Sequence, residues 1–167
     1  MYSPSDFFSA LTTHEKLRSG LISKYSNHLI KIASEVAVNK REEMIINGDD
    51  YDTEDGTAVR DYIHVSDLSS AHLASLEYLL TKKKNLFLNL SNGLGYSVLE
   101  VINTANRITG NKIKFEYAAK RPGDAEKLIS NVNKLHKYIN WKPRFDDLDF
   151  IIKTAISWEK KIYEKDL

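Results

Sequence analysis

No cysteine occurs in the 167 residues. That excludes disulfides, thiolate zinc sites and cysteine nucleophiles, and it fits a reducing compartment. No apolar run approaches the roughly 18 residues that a membrane span requires, and the opening MYSPSDFFSALTTHEKL lacks a basic stretch followed by an apolar one. An excess of either charge is missing too. The 24 Lys and Arg stand against 23 Asp and Glu, a net +1, so no overall field gathers nucleic acid or an anionic membrane. There is no internal repeat and no low-complexity linker. These absences predict a cytoplasmic protein, with no nucleic-acid or membrane partner. Its length suits one compact unit that buries its core without staples.

What is present reads as strands alternating with helices, the pattern of an α/β fold. A weak helical pattern covers residues 6–18. In HLIKIASEVAVNKR, Leu29, Ile32, Ala33, Val36 and Ala37 fall at helical spacing, with Lys40 and Arg41 expected in the last turn. EMIIN reads as a short buried strand. VRDYIHV alternates Val59, Asp61, Ile63 and Val65 against Arg60, Tyr62 and His64, which is strand periodicity. Ser66 is placed to cap the next helix, whose apolar positions are Leu68, Ala71, Leu76 and Leu79. LFLNLS reads as a strand. SVLEVINTANRITG carries a capping box at Ser97 and Glu100 and a stop at Gly110. KIKFEY and KLIS read as strands, and NVNKLHKYIN as a short helix. Asp146 or Asp147 caps a final helix striped by Leu148, Ile151, Ile152, Ala155 and Trp158.

Several patterns invite functional readings. Five carboxylates crowd GDDYDTED, but in an EF-hand register from Asp50 the sixth position is Asp55 and the glycine comes one late. A solvated turn is the better expectation, and no metal site is predicted. Gly93 and Gly95 lie between a strand and a helix as in a dinucleotide-binding turn, yet Val98 stands where the third glycine belongs. A structural turn is favoured over a phosphate cradle. Tyr78 with Lys82 and Tyr138 with Lys142 have the spacing of a tyrosine base tuned by a lysine, a spacing common by chance in a chain with nine tyrosines. His64 and His72 lack a serine elbow of the Gly-x-Ser-x-Gly type, so structural histidines are expected. No catalytic residue is predicted. Arg60 opens a strand, and Arg121 sits in RPGD, where Pro122 stiffens a turn and Gly123 lets backbone approach a ligand. Two such arginines can grip a diphosphate, with Asp124 accepting hydrogen bonds from hydroxyls. Two surface ion pairs would fit the same residues.

GDDYDTEDGTAVRDYIHVSDLSSAH, LNLSNGLGYSVLEVI, KRPGDAEKLISNVNKLHKYINWKP and AISWEK together resemble the C-terminal part of UDP-glucose 4-epimerase. That family of NAD-dependent isomerases, extended short-chain dehydrogenase/reductases, interconverts UDP-glucose and UDP-galactose. The resemblance runs from about residue 27 to 160, and the long acidic loop before VRDYIHV is typical of the epimerases. It implies a substrate-binding domain over residues 25–167, with the last strand and helix of an incomplete Rossmann sheet, behind a divergent segment 1–24. It also implies that Arg60 and Arg121, in the turn with Pro122 and Gly123, contact the UDP diphosphate. Asp124 would meet the nucleotide ribose, His28 would lie beside the diphosphate, and Ile45, Ile46 and Asn47 would line the uracil pocket. The sequence departs from the family in three places. Relatives often carry an aromatic residue at Asn47 and a tyrosine at Leu128, and the proline that usually follows HLI is Lys31. The family's N-terminal glycine turn for NAD and its catalytic Tyr-x-x-x-Lys map nowhere on this chain. The resemblance therefore implies an epimerase fragment inactive alone, holding no NAD by itself. Its partners would be a UDP-sugar and, in an alternative reading, a separately encoded N-terminal half; a remnant without function is the remaining alternative.

Overall fold

Local sequence dictates the two best-formed helices. α1, Leu29–Ala37, buries Ile30, Ala33, Val36 and Ala37 at helical spacing. It stops early because Asn39 adopts a left-handed conformation (φ 59°). The Lys40 N–H then donates to the Glu35 carbonyl at 2.9 Å and the Asn39 N–H to the Val36 carbonyl at 3.0 Å, the paired bonds that satisfy a helix end. Lys40 and Arg41 thus lie beyond the helix rather than in its last turn. α3, Val98–Thr109, has the predicted capping box: Ser97 accepts from the Glu100 N–H at 3.0 Å, and Glu100 accepts from the Ser97 N–H at 2.6 Å. Gly110, at φ 71°, ends it.

The computed structural model describes residues 13–23 and 25–166. The predicted helix over residues 6–18 falls partly outside them. Its described part, from Thr13 on, is a turn closed by the Leu17 N–H on the His14 carbonyl. β1, Met44–Asn47, pairs in parallel with β4, Phe115–Ala118, so the two C-terminal ends share one edge of the sheet. A second sheet has β2, Val59–Asp61, at its centre, antiparallel to β3, Gly95–Ser97, and parallel to β5, Lys127–Leu128. Gly95 is required by packing. A Cβ there would stand 2.4 Å from Ile129 Cδ1 and 2.8 Å from Val59 Cγ1.

β2 is shorter than its alternation predicts. Tyr62, Ile63 and His64 leave the sheet, all buried, and α2 begins at Val65 and runs to Lys82. His64, not Ser66, is its N-cap: its Nδ1 accepts from the Ser66 N–H at 3.2 Å. Leu76 and Leu79, expected in the core, are 49% and 42% exposed. LFLNLS forms no strand among the described residues, although its side chains alternate between half-buried and exposed. Period two is present; a hydrogen-bonding neighbour is not.

α4, Asn133–Tyr138, is short, and α5 spans Leu148–Asp166. Asp147 caps α5, its carboxylate accepting from the Phe150 N–H at 3.2 Å. The main core joins α1, α3, α5 and β1 through Ile30, Val36, Ile46, Ile102, Ile151 and Ile152. A second cluster gathers Ile63, Ala71, Leu135, Ile139 and Trp141. Residues 13–23 lie against α5, where Trp158 Nε1 donates to the Leu21 carbonyl at 3.1 Å. Among the described residues, no helix is long and apolar enough to cross a membrane.

Candidate functional site

Parallel pairing sets the site. β1 and β4 end side by side, with the Gly48 N–H donating to the Ala118 carbonyl at 2.8 Å. The acidic loop after β1 and the RPGD turn after β4 therefore leave the sheet together, at the strand ends where open α/β sheets place their ligands. The turn has the chemistry its sequence announces. Pro122 and Gly123 occupy its two central positions, Gly123 at φ 79°, and the Asp124 N–H donates to the Arg121 carbonyl at 3.1 Å. Proline followed by a positive-φ glycine is the signature of a type II turn.

Arg60 rises from the central strand β2. Its Nη1 donates to its neighbour's carbonyl, that of Val59, at 2.7 Å, and its Nη2 donates to the Asp124 carboxylate. The arginine and aspartate side chains are 20% and 31% exposed, so water still reaches this ion pair. Two residues that sequence reasoning did not nominate clasp the turn to the loop. Lys120 Nζ donates to the Asp50 carbonyl at 2.7 Å, pairs with its carboxylate at 3.1 Å and stands 4.6 Å above the Tyr51 ring. The Tyr51 hydroxyl reaches the Asp124 carboxylate at 3.5 Å. Burial, with the Asp124 charge second, pushes that phenol's pKa up and keeps it a donor.

The structure thus brings Arg60, Pro122, Gly123 and Asp124 together, with Arg121 on the same exposed turn. Among the described residues Arg121 makes no ion pair. Ile45 and Asn47 lie on the open face of β1, Ile45 being 62% exposed. Ile46 does not join them, because alternation turns its side chain into the main core, where it is 2% exposed. Only its backbone can serve a ligand at the edge of β1 opposite β4. His28 is half-buried at the N-cap of α1, and burial lowers its pKa. Leu128, on β5, is 61% exposed.

The acidic loop is not simply solvated, as its composition suggested. Asp55 accepts from the Thr57 N–H at 2.9 Å and the Thr57 hydroxyl at 2.7 Å, and also from the Ser97 hydroxyl. Burial, the largest influence on this carboxylate, raises its pKa; the hydrogen bonds from Ser97 and Thr57 outweigh it, and the net shift is downward. The loop is thereby pinned to the N-terminus of α3. Asp-x-Thr is a local signal for such a turn, but nothing local marks the partnership with Ser97.

The other candidates resolve into structure. Tyr78 and Tyr138 pack edge to face, ring centroids 6.3 Å apart. His64 packs at a tilt against the stacked pair Phe145 and Phe150, at 5.0 and 5.5 Å. The Gly93 turn is a poor fit for a dinucleotide. The Gly93 N–H is taken by the Ser91 hydroxyl and the Leu94 N–H by the Asn92 side-chain Oδ1, both at 2.9 Å, and Gly95 serves packing. Those amides are engaged within the turn instead of facing a pyrophosphate.

Fold and site define a mixed α/β chain, part of a Rossmann-like protein. The chain belongs to the GDP-mannose 4,6 dehydratase family, whose model matches residues 9–153. Its curated relatives include a UDP-glucose 4-epimerase of Streptococcus mutans, 44% identical over 131 residues, which are 78% of this chain and 39% of that protein. Among solved structures, it is similar to a UDP-glucose 4-epimerase from Stenotrophomonas maltophila with bound NAD and formylated UDP-arabinopyranose. The TM-score is 0.89 at 32% identity, covering 95% of this chain and 47% of that one. The Bifidobacterium longum UDP-glucose 4-epimerase in complex with NAD+ and UDP gives a TM-score of 0.85 at 36% identity, covering 92% and 46%. The chain spans less than half the length of these relatives.

Proposed function

We propose that this chain is the UDP-sugar-gripping part of a UDP-glucose 4-epimerase, inactive in epimerisation by itself. The observation that carries the reading is the meeting of Arg60 with the RPGD turn, joined through Asp124. Arg60 and Arg121 supply guanidinium forks for a diphosphate, and Asp124 accepts from a ribose hydroxyl once a ligand takes its place on Arg60. Pro122 and Gly123 hold that turn, the edge of β1 opposite β4 at Ile45, Ile46 and Asn47 would offer backbone groups to the uracil, and His28 would lie beside the diphosphate. Epimerisation of a UDP-sugar with NAD requires a hydride acceptor and a base beyond this site. The bonds within the Gly93 turn weigh against NAD binding by these residues.

UDP titration followed by amide NMR tests the grip. Shifts are expected at Arg60, Arg121 and Asp124 with millimolar UDP, and Arg60→Ala should weaken binding about tenfold or more through loss of charge-assisted hydrogen bonds. No shift at that concentration, or an unchanged affinity in Arg60→Ala, would sink the reading. A second reading, a module that completes a separate N-terminal half, is favoured by the exposed leucines of α2.

A further inference from the structure

The apolar residues of α2 lie on two sides of the helix. Leu68, Ala71 and Ala74 face the second core cluster. At about 100° per residue, Leu73, Leu76 and Leu80 fall together on the opposite side, and they are 58%, 49% and 67% exposed. A helix that is apolar on both sides is built to be covered on both. The segment that follows has the same character. Through residues 86–90 the chain is extended, with Leu86, Leu88 and Leu90 half-buried and Phe87 and Asn89 exposed, Phe87 by 72%. Leu88 and Leu90 pack on the cluster that α2 also covers, so helix and segment are held on one support. Yet among the described residues the backbone of 86–90 makes no hydrogen bond to a neighbouring strand. The result is an unpaired edge and an uncovered leucine ridge on two elements that share one cluster, features that natural proteins avoid leaving open.

We propose that the outer side of α2 and the edge at residues 86–90 form the docking surface for a Rossmann-type α/β unit. That unit adds a strand along 86–90 and lays an apolar face on Leu73, Leu76 and Leu80. The proposal rests on the second reading above and gives it a surface. The size of the relatives supports this occupant: more than half the length of the Streptococcus mutans and Stenotrophomonas maltophila proteins has no counterpart here. The chemistry of the surface supports it too. Lys82 ends the helix, Lys83 and Lys84 follow it, and all three would suit an anionic membrane, but a bilayer offers no donors or acceptors to a strand edge.

The test co-expresses this chain with the N-terminal half of the Streptococcus mutans epimerase. A second arm fuses the two in one polypeptide, which removes dependence on the free half folding alone. A 1:1 complex is expected, with hydrogen exchange at residues 86–90 slowed about a hundredfold or more against the isolated chain. Leu76→Glu with Leu80→Glu should abolish the two-chain complex and leave the thermal melt of the isolated chain unchanged. A complex that survives these substitutions, with 86–90 still exchanging freely, overturns the surface and leaves the second reading standing. Failure to obtain a soluble partnered form in either arm overturns both. Protection of 86–90 already in the isolated chain, a homodimer lost in the double variant, or binding to phosphatidylserine vesicles in place of the half would assign the face to another occupant and overturn the proposal. The diphosphate site lies on β2 and the RPGD turn, so UDP titration succeeds or fails independently.

Discussion

His64 is fully buried at the head of α2, with Nδ1 accepting from the Ser66 N–H and Nε2 3.3 Å from the Thr154 hydroxyl. Burial is the main influence on its pKa and lowers it; the Asp67 charge pulls the other way without reversing it. A histidine with a depressed folded-state pKa binds its proton more readily when unfolded. Stability therefore falls as pH drops below the unfolded value of about 6.5, and the loss levels off below the folded value. His28, also lowered by burial, adds a term of the same sign. His64→Asn keeps a cap acceptor but cannot titrate. We expect its urea-unfolding free energy to depend less on pH between 7 and 5 than that of the parent, with His28 contributing to the slope that remains. An unchanged slope would show that His64 does not supply the effect. The sequence pointed to a structural His64 because no serine elbow accompanied it. Asp55 was missed because its decisive partner, Ser97, lies 42 residues away.

At the scale of elements, α1 and α5 meet through buried charge. Lys31 is 4% exposed and pairs with Glu35 at 3.2 Å and with Glu159. Arg41 Nε reaches Glu35 at 3.1 Å, and Lys40 Nζ stands 3.7 Å from Glu159. Among the described residues one oxygen of Glu159, Oε2, has no hydrogen-bond partner, so Lys31 carries most of the compensation for a carboxylate 1% exposed. Removing one member of a buried ion cluster leaves the others uncompensated, which costs about 3–5 kcal/mol. Lys31→Ala should lose that much in urea unfolding, whereas Lys31→Met with Glu159→Leu should recover most of it by removing both charges. A loss in Lys31→Ala below about 1 kcal/mol would mean that the cluster behaves like a surface pair. Elements marked by their own residues were legible: the capping box of α3, the glycine stop at Gly110 and the stripe of α5. Elements defined by a distant neighbour were not. LFLNLS has the period of a strand but no backbone hydrogen bond to a neighbouring strand among the described residues. Leu76 and Leu79 fit a helical stripe without revealing that α2 presents apolar residues on two sides.

For the molecule as a whole, the site was legible where rigid local chemistry defines it and illegible where packing does. Proline followed by glycine announced the turn that carries Asp124, and Arg60 was singled out at its strand start, but their pairing with each other was not foreseen. The Lys120–Tyr51 clasp depends on two parallel strands ending side by side, a pairing that no local pattern records. The same contrast separates substrate from cofactor. Under the proposed function, the groups that would take a diphosphate converge from β2 and the turn after β4. The glycine turn that resembles a dinucleotide loop spends its amides on Ser91 and Asn92 and uses Gly95 to let β3 approach Ile129 and Val59. A chain so built should hold a UDP-sugar without NAD. Purified from bacterial lysate and denatured, it is expected to release no nicotinamide dinucleotide by enzymatic cycling assay. With added NAD, it should leave UDP-galactose unconverted while still shifting its Arg60 and Asp124 amides with UDP. Stoichiometric NAD in the purified chain, or conversion of UDP-galactose that persists in Arg60→Ala, would show that a second nucleotide site operates elsewhere on this surface.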